Sequence, residues 1–280
     1  MLEKKYKLKR TKIVGTIGPS SLSKKKIKKM ILAGLNVCRI NFSHCNHQDA
    51  LKITSIVSDL NLELNTHVAI MGDLSGPKLR VSSVAPNTML IVGGEILLKN
   101  GNHDSNNNSL FINYPNITSD IKVGEKVLLD DGKIILRVVQ IDDSQIKCII
   151  VQGGELKSNK GVNLPNTFIS LPSMNEKDYQ DLMFCIENQI EWVALSFVRK
   201  GEDICRLKDI LKKYNSSCRV IAKIEKPEAI KNLNSIILHS DALMVARGDL
   251  GVEIPTQKVP VLQKKIVRAS RRKAKPVIIA

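Results

Sequence analysis

Three charged side chains close two neighbouring apolar runs: Lys223 and Glu225 in Lys223-Ile224-Glu225, and Asp249 in Arg247-Gly248-Asp249. If the runs at 220–224 and 242–246 are adjacent strands, about 4.8 Å apart, Glu225 and Asp249 offer two hard carboxylates to one Mg2+. That ion takes oxygen ligands at about 2.1 Å and keeps waters or substrate oxygens. Lys223 would stand beside it as a fixed positive charge. An anionic oxygen held between a dication and an ammonium suits phosphoryl transfer or enolate stabilisation. The competing reading makes Glu225 a helix-start acid and Lys223 its surface partner, with no chemistry attached.

Other runs show the same change of polarity. Residues i and i+2 of a strand face one side, so Arg39, Asn41 and Ser43 share a face opposite Cys38, Ile40 and Phe42. Lys223 and Glu225 share a face with Ile221, and Asp73 closes the run 68–73. Polar groups thus gather at the C-terminal ends of several strands, where a parallel α/β architecture places its active site.

The pattern predicts strands over 12–17, 37–42, 68–73, 192–197, 220–224, 242–246 and 276–280. Helix-period stretches alternate with them near 24–32, 48–60, 175–187, 202–214, 230–239 and 261–274. Strand then helix, repeated, argues for parallel strands with crossover helices. The third strand is followed instead by short alternating segments over 78–157, with turns at Val92-Gly93-Gly94 and Asp130-Asp131-Gly132-Lys133 and a flexible polar tip near 100–109. The expected fold class is α/β: an incomplete TIM (β/α)8 barrel carrying an inserted small antiparallel β-barrel lid. The first part of the barrel occupies 1–77, the lid 78–157 and the second part 158–280. Outside the insert about 200 residues remain, short of the ~250 that a full barrel typically needs. Six strand–helix units and a seventh strand account for them.

The 280 residues carry 43 Lys and Arg against 27 Asp and Glu, a formal charge of +16, which favours anionic partners. Only 4% are aromatic and no basic stretch is interleaved with rings, so the base-stacking platform of a nucleic-acid binder is not expected. The lysines of 24–29 and 264–275 read as solvated helix faces. No run of about 18 apolar residues marks a membrane span. The opening MLEKKYKLKR is basic without an apolar stretch behind it, so no secretory signal is expected. The six cysteines form no C-x-x-C pair, which points to dispersed reduced thiols and a cytoplasmic chain.

Several longer segments resemble the pyruvate kinase family. They are Thr16-Ile17-Gly18-Pro19-Ser20-Ser21, Arg39-Ile40-Asn41-Phe42-Ser43-His44, Asp73-Leu74-Ser75-Gly76-Pro77-Lys78-Leu79-Arg80, Lys160-Gly161-Val162-Asn163-Leu164-Pro165, Ala222-Lys223-Ile224-Glu225, and the run from Met244 through Arg247-Gly248-Asp249 to Pro255. They fall in family order from about Arg10 to Ala280, and the Asp-Leu-x-Gly-Pro-Lys form points to the bacterial subgroup. The resemblance implies transfer of phosphate from phosphoenolpyruvate to ADP, giving pyruvate and ATP in glycolysis. Carried over position by position, Arg39 contacts the phosphoryl group, Lys223 stabilises the charge that develops, and the Gly248 amide meets the substrate carboxylate. Glu225 and Asp249 hold Mg2+, while His44, Arg80 and Lys160 match nucleotide-side positions. The insert resembles a lid that excludes water.

In many members Asn41, Ser43, Asp73 and the Leu74 carbonyl surround a potassium ion. Lys78 stands where potassium-requiring members carry glutamate, so K+-independent catalysis is expected. Cys45 also departs, standing where glycine usually follows the Ser-His pair. The resemblance places an eighth strand, a substrate-contacting threonine and a regulatory C-terminal domain beyond Ala280. The expectation is therefore a shortened chain with little unaided activity, for which the family's homotetramer is not carried over. No nucleic-acid or membrane partner is expected. Two other readings stay open: a related Mg2+-dependent enolate-handling lyase or aldolase, and a non-catalytic remnant.

Overall fold

The computed structural model describes residues 10–280; the basic opening over 1–9 lies outside the described residues. Seven short strands are β1 (Val14–Thr16), β2 (Val37–Asn41), β3 (Ala69–Asp73), β4 (Trp192–Leu195), β5 (Arg219–Ile224), β6 (Ala242–Val245) and β7 (Val277–Ile279). All pair in parallel and in chain order. Helices connect them: α1 (Lys24–Ala33), α2 (His47–Leu64), α3 (Glu176–Glu187), α4 (Gly201–Lys213), α5 (Pro227–Lys231), α6 (Leu233–His239), α7 (Arg247–Glu253) and α8 (Val259–Arg272). Among the described residues β1 and β7 each pair on one side only. The sheet is a curled part-barrel.

Strand parity sorts the core into two layers. Cys38, Ile40, Val220, Ala222 and Ile224 point outward and pack with the helices. Met71, Ala194, Ile221, Ala242 and Met244 point inward as a smaller cluster. On β5 the alternation Ile221-in, Ala222-out therefore aims Lys223 inward, above that cluster. Close helix approach requires Gly72, where an added Cβ would lie 2.5 Å from Cys185 Sγ.

Capping chemistry fixes the helix starts. Asn46 accepts from the Asp49 amide at 2.8 Å, and Asn175 and Asp178 bond reciprocally at 2.8 and 2.9 Å. Asp178 also accepts from the Gly76 amide at 2.9 Å, so the start of α3 anchors the loop leaving β3. Gly76 has φ +68, and a Cβ there would meet Phe197 at 2.7 Å. α7 lies outside the helix-period stretches of the sequence, because Gly248 and Gly251 weaken the local helix signal. The single helix expected over 230–239 is two, α5 and α6, divided at Asn232.

The insert forms a six-stranded sheet from Glu95–Asn100, Ser109–Ile112, Lys126–Leu129, Ile134–Ile141, Gln145–Gln152 and Val162–Asn163. It is not wholly antiparallel, since Glu95–Asn100 and Ser109–Ile112 run parallel. Its pairing order is that of an open sheet, but residues 79–82 bridge its two edges, Arg80 pairing with Gly161 and Val81 with Ile112. Asp130 and Asp131, with φ 49 and 57, make the turn the sequence marks. The polar tip is more tethered than expected: Asn106 accepts from the amides of Asn108 and Ser109, and buried Ser105 accepts from Phe111. The insert has its own core, running from Leu79 through Val162 and Leu164 to Ile169, so its sheet and packing extend past the boundary expected at 157.

Cys38, Cys148, Cys185 and Cys218 are buried, and Cys45 and Cys205 are half-buried. Burial pushes the Cys38, Cys148 and Cys218 thiols up to about 12 and Cys185 well above its ordinary value. A thiol-exchange titration of native protein at mildly alkaline pH is expected to modify Cys205 first and Cys45 more slowly. Cys45 lags because burial, then Asp49, raises its pKa. The buried four should react only on unfolding; fast reaction of any of them would contradict this packing.

Candidate active site

The ends of five successive strands deliver polar side chains to the same mouth. Arg39 of β2 donates from Nη1 to Thr16 Oγ1 of β1 at 2.8 Å, and from Nε and Nη2 to Asp73 Oδ2 of β3 at 2.7 and 2.5 Å. Lys223 of β5 lies 3.1 Å from Asp73 Oδ1 and 2.9 Å from Glu225 Oε1. It donates to Ser196 Oγ, just past β4, at 2.7 Å. The Ser196 hydroxyl in turn donates a hydrogen bond to the Leu74 carbonyl at 2.6 Å. The result is an alternating row of charges, Arg39, Asp73, Lys223, Glu225, buried except at the arginine.

Burial alone would lower the Lys223 pKa, but the Glu225 and Asp73 carboxylates outweigh it and raise the value. Glu225 is raised by desolvation first, and Asp249 adds to the rise, while Lys223 opposes it. Glu225 Oε2 accepts from the Phe197 amide at 2.9 Å. Phe197 holds φ 53, a costly conformation for a bulky residue; the donated bond aims its N–H at Glu225.

The two oxygens facing Lys223, Asp73 Oδ1 and Glu225 Oε1, are buried yet accept no hydrogen bond of good direction. Each is nonetheless within ion-pair distance of the Lys223 ammonium. Asp249, in α7, is exposed on the adjoining rim. No cluster of three or more His, Cys, Asp or Glu among the described residues makes an all-protein cage. A pair of hard carboxylates with one underused oxygen does fit Mg2+, which completes its shell with water or substrate. Gly248 is exposed beside Asp249, and a Cβ there would meet nothing within 4 Å, so its backbone borders open space.

The side chains and the carbonyl that the resemblance assigns to a monovalent ion are engaged internally. Asn41 Oδ1 accepts from the Ser43 amide at 3.1 Å and Ser43 Oγ bonds Ser75 at 3.2 Å. Asp73 is shared by two cations, and the Leu74 carbonyl is taken by Ser196. Lys78 is exposed and lines a cleft with Ser43, Ser75 and Arg80.

His44, Arg80 and Lys160, expected on the nucleotide side, are more dispersed. His44 is exposed and makes no side-chain hydrogen bond among the described residues. Arg80 donates to the Asn159 carbonyl at 3.0 Å, and Lys160 pairs with Asp130 at 2.9 Å. That pairing, reinforced by Lys133, holds Asp130 below the usual carboxylate range. Arg80 and Lys160 meet along the insert's base, where Arg80 bridges Gly161. A cleft between insert and barrel is lined by Lys78, Asp131, Gly161, Lys226 and Asp249.

Parallel strands in chain order, a charged row at their C-terminal ends and an insert beside the mouth define an α/β part-barrel with a polar, charged mouth. The profile of the pyruvate kinase barrel domain matches residues 8–280. The pyruvate kinases of Staphylococcus aureus strains MRSA252 and USA300 are each 41% identical over 276 residues, covering 98% of this chain and 47% of theirs. The chain belongs to the pyruvate kinase family. It spans about half the length of the curated relatives it matches.

Proposed function

We propose that this chain carries the machinery for Mg2+-assisted phosphoryl transfer from phosphoenolpyruvate to ADP, giving pyruvate and ATP. The observation that carries the reading is the Lys223 ammonium, 3.1 and 2.9 Å from two buried carboxylates and next to an arginine with an exposed edge. In this scheme Arg39 takes a phosphoryl oxygen. The bond from phosphorus to the enol oxygen breaks as a β-phosphate oxygen of ADP attacks. Lys223 balances the negative charge left on the enolate, which then takes up a proton to become pyruvate. The Gly248 amide orients the substrate carboxylate. A dication held by Glu225 and Asp249 would supply further neutralisation of phosphoryl charge. His44, Arg80 and Lys160 serve the nucleotide, and the insert keeps water from the reacting phosphorus.

Pyruvate formation followed with and without ADP and Mg2+ tests the reading. Dependence on both is the expected result. Pyruvate released without ADP would support an enolate-handling lyase instead.

Potassium dependence is a separate prediction. Asp73 already has Arg39 and Lys223 as counter-charges, and Lys78 stands nearby as a fixed monovalent cation. Rates in buffer free of sodium and potassium should not rise when K+ is added; strong activation would refute the idea.

A further inference from the structure

We propose that Glu253 is a positioning residue that ties the inserted sheet to the helix carrying Asp249, so that insert position and dication geometry are coupled. The proposal rests on the reading above only in taking Glu225 and Asp249 to share a dication.

Glu253 ends α7, one turn beyond Asp249. Its Oε1 accepts from Lys226 Nζ at 2.7 Å and from Asn163 Nδ2 at 2.7 Å. The Glu253 side chain is 1% exposed and that of Lys226 5%, while Glu253 Oε2 has no hydrogen-bond partner. The three residues belong to different elements, one in the insert and two in the barrel. Asn163 pairs with Leu128 inside the insert's sheet. Lys226 directly follows Glu225 at the end of β5. Glu253 shares a helix with Asp249, at the i+4 position that lies on the same side.

A carboxylate at a helix C-terminus opposes the helix dipole, and burying it adds a desolvation cost. The helix alone gives no reason to keep it. What the carboxylate does supply is a single acceptor oxygen on which insert, strand end and helix converge. A rotation of the insert about its base must either break the Asn163–Glu253 bond or draw α7 with it. Drawing α7 moves Asp249 relative to Glu225, because Lys226 holds the other side of the same oxygen. Insert closure is thereby felt at the two carboxylates without any contact between the insert and the ion.

The test uses Asn163→Ala, which cuts the insert tie alone, Glu253→Gln, which keeps the shape and removes the charge, and the double variant. Mn2+ affinity is read by electron paramagnetic resonance. The insert-to-barrel distance is read between nitroxides introduced as unnatural amino acids at exposed Asp143 and Asp209. Glu253→Gln is expected to weaken Mn2+ binding about tenfold, in the range for outer-shell partners. Asn163→Ala should broaden the distance distribution and weaken Mn2+ binding less. The double variant should lose less than the sum of the singles. A merely structural Glu253 would lower Tm while leaving Mn2+ affinity and distances unchanged, and that result overturns the proposal. If Glu253→Gln does not fold, an unchanged distance distribution in Asn163→Ala overturns it as well. Absence of Mn2+ binding in the unaltered chain would instead count against the proposed function, while the distance measurement still decides the tie.

Discussion

Replacing Lys223 with methionine is expected to lower Tm by about 10 °C and to cut phosphoenolpyruvate-dependent pyruvate formation by about 10²–10³-fold. The ammonium is 9% exposed and stands between Asp73 Oδ1 and Glu225 Oε1. Removing one member of a buried charge pair costs about 3–5 kcal/mol, because the partner is left uncompensated. Ser196 loses its donor and the Leu74 carbonyl is held less firmly. The folded-state pKa of Lys223 is raised above 10.5. Its contribution to stability is therefore complete at neutral pH and is lost only as pH climbs through the raised value. Calorimetry with a coupled rate assay checks both effects. An unchanged Tm would show that the charged row does not hold the mouth together.

Glu225→Gln is expected to act more on the ion than on the fold: dication binding falls by at least about 10²-fold, while Tm at neutral pH falls less than in Lys223→Met, because Asp73 still pairs the ammonium. Glu225 is fully buried, and desolvation with the Asp249 charge raises its pKa above 4.5. A carboxyl group raised in the folded state favours its neutral form there. Acidification from the raised value toward 4.5 therefore stabilises the fold, and an amide mimics that neutral form. The Gln carbonyl keeps an acceptor for the Phe197 amide. Protons compete with the dication at this oxygen, so affinity in the parent should drop on acidification with a midpoint above 4.5. Titration calorimetry across pH checks this. A midpoint at or below 4.5, or an unaltered affinity in the variant, would remove Glu225 from the ion's ligands.

Much of the mouth was readable from residue spacing because a strand's period of two is unforgiving. Once Ile221 is inward, Lys223 must be inward, and the same parity sets Arg39 above Val37 and Asp73 above Met71. The parallel order of the strands followed from their alternation with helices. What stayed hidden depends on contacts between distant segments. Thr16 and Ser196 are ordinary small polar residues until Arg39 and Lys223 are placed against them. The positive φ of Phe197 has no glycine or asparagine to announce it. Glu253 meets a partner 90 residues away in Asn163. The parallel pair in the insert was missed because short alternating segments carry no mark of strand direction.

The most direct measurement is the phosphorus resonance of phosphoenolpyruvate in the presence of Mn2+ and this chain. Protein-dependent paramagnetic broadening is predicted, and it should disappear in the Glu225→Gln, Asp249→Asn double variant although that variant remains folded. Broadening of equal size in parent and double variant would place the ion elsewhere and contradict the account.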